Sequence, residues 1–413
     1  MNRYSKRRED LLGSLEGNVA VLLFSGKAPL RSEDEAYEYS VNRNFYYLTG
    51  LDKEDMALLI YRINGLVRQR LFILPYDETL ARWVGGRMSK EEATEISGIE
   101  DVAERGDLDG TVASILNRGR GLGDLSFYLD FWHYTMDQEW ADSIGYAKKL
   151  NNNYPYLELK DIFPQLTKMR LVKDEDEINE IRKAIHITDL GIRQMMRTSK
   201  PGLNEMTMEG VFNFVLAQSL CRNNAFKTIA ASGERATILH YSDNDQYMKD
   251  GELFLCDLGA THGYYCADIS RTFPVNGKFS DRQKQIYQLV LNAQKIVEEN
   301  AKPGVKVRDL NQMVIDYYKE ELPKIDLNED VSEYYFHGVS HHLGLDTHDV
   351  DGGLGSVLEA GNVITNEPGL YISDEGIGIR IEDDLLITED GCEVLSKQII
   401  KQIDEIESYM NKG

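Results

Sequence analysis

Positive charge is what this sequence is short of: 46 lysines and arginines stand against 69 aspartates and glutamates, a formal net charge of −23. Such a field repels phosphate backbones and anionic lipid, so neither nucleic acid nor a membrane surface is an expected partner. Long apolar runs are missing too. None approaches the ~18 residues of a membrane-spanning helix. No apolar core follows the basic residues of "MNRYSKRRED", so a secretory leader is not expected. Cysteine is sparse, with Cys221, Cys256, Cys266 and Cys392 scattered and no CxxC pair. Reduced thiols in a cytoplasm are the simplest reading. Histidine is scarce as well, at eight residues, yet His337, His341, His342 and His348 all fall within "HGVSHHLGLDTHDV". A solvated loop, a metal site or a set of acid–base groups could each account for that cluster.

What is present is material for two cores, since 413 residues with 42% hydrophobic content exceed one ordinary domain. The first third alternates strand-like and helical runs. "NVAVLLFSG" (18–26) and "MALLIYRINGLVRQRLFIL" (56–74) read as strands, the second split by a hairpin turn at Asn64-Gly65. Helices are expected over 89–97 and 108–119, which makes residues 1–165 a small α/β domain. From residue 170 the pattern changes. Ile178, Ile181, Ile185 and Ile192 form a helical stripe that stops at "KPG" (200–202), and "EMTMEGVFNFVLAQSLCR" (205–222) is a second helix. The order then recurs: a capping box "SDRQ" (280–283), a helix, another "KPG" (302–304) and a further helix from 307. A duplicated unit of about 100 residues explains this best.

Each half also carries a carboxylate hairpin. In "ELFLCDLGATHGYYCADISRTF" (252–273), Asp257 and Asp268 lie symmetrically about the 262–263 bond. A hairpin centred there opposes them directly, which is destabilising unless a cation lies between. In "ITNEPGLYISDEGIGIRIEDDLLIT" (364–388), Glu367 and Glu382 are symmetric about the 374–375 bond. Four converging carboxylates with an imidazole from the intervening cluster form an oxygen-rich divalent-metal site, suited to Mn²⁺ or a similar ion. Two such ions can share bridging carboxylates and activate a water at neutral pH.

At this point "DLGATHGYYCADISRTF", "HGVSHHLGLDTHD", "NEPGLYI" and "GIGIRIEDD" together resemble the signatures of the pita-bread metallopeptidases. The resemblance is closest to the aminopeptidase P (Xaa-Pro aminopeptidase) and prolidase branch. It covers residues 170–400 strongly, and "NRNFYYLTGL" (42–51) extends it loosely to the N-terminal part. It implies an α+β fold: a pita-bread catalytic domain (170–413) with an internal pseudo-twofold repeat, preceded by a smaller α/β domain for oligomerisation or substrate access. It implies five ligands to two divalent ions. Asp268 and Glu382 match bridging positions, Asp257 matches a ligand of one ion, and His341 and Glu367 match ligands of the other. Glu367 also matches a proton shuttle. His240 and His348 match residues that hold the substrate carbonyl, His337 one beside the proline subsite, and Arg380 and Tyr371 positions around it. His342 matches no role and is expected to be structural, as are His133, His186 and His262.

The activity this implies is hydrolysis of the Xaa-Pro bond, releasing the N-terminal residue of proline-containing peptides. A prolidase, confined to dipeptides, is the nearest alternative. A catalytically silent peptide-binding module is a remote one, opposed by the intact ligand set. Mn²⁺ is the expected metal, with Co²⁺ or Zn²⁺ also compatible. Trp83, in "ARWVGGRMSKEE" (81–92), has two readings. A tryptophan in a glycine-rich connection commonly covers a local core. The resemblance instead implies a homo-oligomer, dimer or tetramer, with this residue at a neighbouring subunit's active-site mouth.

Overall fold

Apolar runs punctuated by turn residues build the first part of the molecule. The computed structural model describes residues 2–119, 125–133, 141–353 and 356–411. Contacts divide the chain into two compact units, Met1–Met169 and Arg170–Gly413. In the first unit β1 (Asn18–Phe24), β2 (Ala57–Ile63) and β3 (Leu66–Ile73) form an antiparallel meander. Asn64 and Gly65 join β2 to β3 with φ of 49° and 78°, the left-handed pair that a two-residue hairpin turn demands. β4 (Val102–Glu104), β5 (Leu125–Leu129) and β6 (Glu158–Asp161) complete a sheet ordered β4-β3-β2-β1-β5-β6. Leu22, Leu59, Phe72 and Phe127 on one face pack with Val112 and Leu116 of helix Leu108–Gly119. Ser89 and Glu92 cap helix Lys90–Ser97 reciprocally. Trp83 does not cover a local core: it sits on a short helix, Glu78–Val84, and is 83% exposed.

In the second unit, helices Glu175–Thr198 and Glu205–Gln218 flank the first KPG, and Asp281–Asn300 and Val307–Glu321 flank the second. Gly202 and Gly304 end the connections with φ of 86° and 87°, a conformation open to glycine but strained for other residues. Capping boxes open the first helix of each pair, Asp174 with Glu177 and Ser280 with Gln283. Ile181, Ile185 and Ile192 are buried as the stripe requires.

Strands follow each helix pair. β7 (Ile229–Ser232), β8 (Leu253–Leu258), β9 (Thr261–His262), β10 (Tyr265–Cys266) and β11 (Ile269–Pro274) belong to the first half. β12 (Val363–Asn366), β13 (Gly369–Ile372), β14 (Ile377–Arg380), β15 (Asp383–Ile387) and β16 (Cys392–Val394) belong to the second. The second hairpin has the expected register: Gly369 pairs with Arg380, and Asn366 with Asp383. The first does not. Asp257 pairs with Ser270, not Asp268, and the hairpin is centred on the Gly263–Tyr264 peptide. The cause is a two-residue turn with φ of 53° and 66° at Gly263 and Tyr264, whose twist suits the flanking strands. One arm thereby slides two residues along the other. An even slide keeps both aspartates on the same face, diagonal rather than opposed.

Candidate metal centre

Each acidic side chain is delivered by a strand end. Asp257 lies on β8, Asp268 immediately precedes β11, Glu367 follows β12, and Glu382 sits between β14 and β15. Gly259 permits the close approach beneath them, since a Cβ there would lie 1.8 Å from the Ala267 carbonyl oxygen. His341 arrives on an extended segment that pairs with β12: Glu367 N donates to Val339 O at 2.9 Å, and Thr365 N to His341 O at 2.9 Å. All five residues, with His240, His337, His348 and Arg380, line one cavity of about 340 Å³. Tyr371 stands behind Arg380, and Trp83 lies in the first unit.

Ligand atoms of Asp268, His341 and Glu382 lie within 4.8 Å of one another. His341 Nδ1–H donates to the His342 carbonyl oxygen at 3.0 Å, which turns Nε2 toward the carboxylates. Nε2 lies 3.3 Å from Asp268 Oδ2 and 3.5 Å from Glu367 Oε1. A ring nitrogen set among carboxylates is the arrangement that a shared cation uses. Asp257 agrees: its Oδ1 is buried without a hydrogen-bond partner, while Oδ2 accepts from Arg380 Nη2 at 2.6 Å. Burial, then repulsion from Asp257, Asp384 and Glu367, pushes the Asp268 carboxyl well above the ordinary range. Burial, then Asp268, Glu367 and Asp257, does the same to Glu382. Burial also raises Glu367, with His341 and Arg380 opposing it. The oxygen-rich donor set with one imidazole therefore fits divalent cations.

His337 and His348 are poor proton holders and good neutral donors. Burial, then Arg380, lowers His337 to about 4. Its Nδ1–H donates to the Gly338 carbonyl oxygen at 2.8 Å, so Nε2 accepts from the Tyr371 hydroxyl at 2.8 Å. Tyr371 in turn accepts from Arg380 Nη1 at 3.0 Å. Burial, then His341 and His240, lowers His348, whose ring meets that of His341 edge-on at 4.4 Å. His342 points away from the cavity: it is buried and bridges to Ile364. The neighbour of His348, Asp349, is clamped by Arg170 at 2.5 Å and Lys173 at 3.1 Å.

Several supporting residues were missed in the sequence reading. Ser270 Oγ accepts from Arg380 Nε at 2.8 Å and donates to Glu382 Oε2 at 2.7 Å, linking the two hairpins. Thr365 Oγ1 accepts from His341 N at 3.0 Å and donates to Glu367 Oε1 at 3.3 Å. Each stands two residues from a carboxylate, a spacing that strand alternation could have flagged. Arg271 is fully buried and commits every N–H. It donates to the carbonyl oxygens of Ser270, Glu382, Ile399 and Ile400, and to Asp383 Oδ1.

Comparison with known proteins adds the decisive observation. Residues 179–389 match the model of metallopeptidase family M24, and residues 4–122 match that of the aminopeptidase P N-terminal domain. The chain belongs to metallopeptidase family M24. Its fold is an M24 catalytic domain preceded by an aminopeptidase P N-terminal domain, with mixed helix and sheet throughout. A Haemophilus influenzae protein named Xaa-Pro aminopeptidase is 34% identical, over 99% of this chain and 97% of its own length. A solved Bacillus anthracis chain assigned as an aminopeptidase P superposes with a TM-score of 0.96 at 41% identity, covering 100% and 99% of the two chains. Zn-substituted aminopeptidase P from Escherichia coli, in complex with product, gives 0.89 at 32% identity over 99% and 97%. Among the described residues, no helix of this M24 chain is long and apolar enough to cross a membrane.

Proposed function

We propose that this M24 chain is a metal-dependent Xaa-Pro aminopeptidase, removing the N-terminal residue from peptides whose second residue is proline. The observation that carries the reading is the single cavity gathering four carboxylates, four histidines and Arg380, in a chain matched almost end to end by relatives of that name.

Asp257, Asp268, His341, Glu367 and Glu382 are the residues that would hold two divalent ions, Mn²⁺ first and Co²⁺ or Zn²⁺ with the same donors. Bound divalent ions supply Lewis-acid polarisation and a water acidified toward neutral pH. The chain supplies the rest. Glu367, its carboxyl raised by burial, takes a proton from the attacking water and passes it to the departing prolyl nitrogen. His240 and His348 donate hydrogen bonds to the carbonyl oxygen as negative charge gathers there. The His337–Tyr371–Arg380 chain walls the pocket for the proline ring, and its internal hydrogen bonds hold that wall rigid. Trp83, widely exposed in the first unit, supports a homo-oligomer in which it reaches a neighbouring subunit's cavity. Four cysteines outside disulfides support a cytoplasmic setting.

The deciding experiment measures hydrolysis of Xaa-Pro dipeptides, Xaa-Pro-Yaa tripeptides and longer peptides with Mn²⁺, and repeats each with a chelator. Cleavage of the longer peptides that the chelator abolishes is expected. Activity confined to dipeptides would favour a prolidase, and no metal-dependent cleavage would leave a binding module.

A further inference from the structure

The cavity is acidic at its floor and carries a single lysine at its wall, and the chemistry above leaves that lysine unused. Lys227 lines the cavity together with Asp257, Asp268, Glu367 and Glu382. It stands two residues before Ile229, which opens β7 and lines the same cavity. Among the described residues its ammonium makes one hydrogen bond, Nζ to Ser242 Oγ at 3.1 Å, and no ion pair. The four carboxylates of the same cavity are thus not paired with it. The serine moors the ammonium and leaves two of its three N–H donors for a ligand. Phe226 and Leu239 line the same cavity, and Lys227 itself is exposed at the wall.

The geometry points to Lys227 as a specificity-determining residue that pairs with a carboxylate of the bound peptide. This rests on the peptidase reading above and goes beyond it. Two carboxylates of a substrate are within reach of such a wall: an acidic Xaa side chain, or the C-terminus of a short peptide. An extended tripeptide spans about 10 Å, enough for its amine to lie over the acidic floor while a carboxylate meets the ammonium.

The test compares kcat/KM for Glu-Pro-Gly with Gln-Pro-Gly, and for Ala-Pro-Gly with its C-terminal amide, at two ionic strengths. Wild type should favour the carboxylate in one of the two pairs by about fivefold, the scale of a partly exposed charge pair, and less at high salt. The pair that shows it identifies the source. Lys227→Arg should keep the preference, Lys227→Gln should abolish it and Lys227→Glu should reverse it. Each ratio is taken on one protein, so partial loss of folded enzyme cancels. Efficient cleavage with both ratios unchanged across the variants would overturn the inference and leave the peptidase reading intact. No cleavage of any of the four peptides would overturn both.

Discussion

Two hairpins bring carboxylates to the centre, and they do so in different registers. In the first, the left-handed turn at Gly263 and Tyr264 sets Ser270 opposite Asp257 and leaves Asp268 on the diagonal. In the second, Glu367 and Glu382 are opposed, but they occupy the gap between the β12–β15 and β13–β14 ladders. There Glu382 N turns to the first hairpin and donates to Ser270 O at 3.1 Å. A shared face, not direct pairing, is what the centre requires of a strand. The position that Asp268 gives up goes to Ser270, whose hydroxyl joins Arg380 to Glu382. The halves are thus alike in their elements and unlike in their detail, and the asymmetry is where they are stitched together.

Replacing one carboxylate from each hairpin tests whether the halves contribute equally. Asp268→Asn and Glu382→Gln should each lose the divalent ions, and kcat/KM should fall about a thousandfold or more. Elemental analysis showing full metal in either variant would remove that hairpin from the ligand set. The histidines offer a second comparison across the halves, His240 from the first and His348 from the second. Alanine at either should keep the metal and lower kcat by roughly 10²–10³-fold, the scale of one lost oxyanion donor. His342→Ala, whose side chain turns away from the cavity, should change kcat only a few-fold; a loss matching that of His348→Ala would reassign the role.

The stitch itself is open to a milder test. Ser270→Ala should weaken metal affinity by about 10–100-fold, as removal of a residue supporting a ligand commonly does, and Ser270→Thr should restore it. Competition against a coloured chelator reads this directly, and unchanged affinity would make the hydroxyl a packing element only. The smallest effect concerns pH. In the ion-free protein Asp268 and Glu382 have raised pKa values, so their stabilising contribution is lost as pH climbs through the folded values. Tm without metal should therefore fall as pH rises through those folded values, while His337 and His342, held at about 4, stay neutral when folded near neutral pH. Added Mn²⁺ displaces those protons, so the Tm gap between loaded and ion-free protein should widen by a few degrees. A constant gap would show that the carboxylates ionise without the ions.

What was readable beforehand was whatever local chemistry dictates. Asn64-Gly65 forms a turn, Ser280 and Gln283 cap each other, and Gly202 and Gly304 end their connections, because backbone dihedrals and unpaired N–H groups narrow the choices. The four carboxylates were readable from their symmetry in two short runs. The symmetry of Asp257 and Asp268 puts the first turn one residue early, because the chain turns at Gly263 and Tyr264, and tyrosine is not a residue type that announces positive φ. The rest was hidden by distance along the chain. Nothing in the order of residues joins Asp349 to Arg170 and Lys173, or Lys227 to Ser242; only the folded unit does.

Arg271 carries a consequence for what holds the centre in place. Two of its five N–H groups end on the carbonyl oxygens of Ile399 and Ile400, and a buried guanidinium short of acceptors is strongly destabilising. A chain that stops after residue 398 would keep every proposed ligand, yet leave two donors of the buried Arg271 without their acceptors. The frame around Ser270 and Glu382 thus depends on a segment that holds none of the ligands. Trimming after residue 398 is therefore expected to weaken metal binding without removing a ligand.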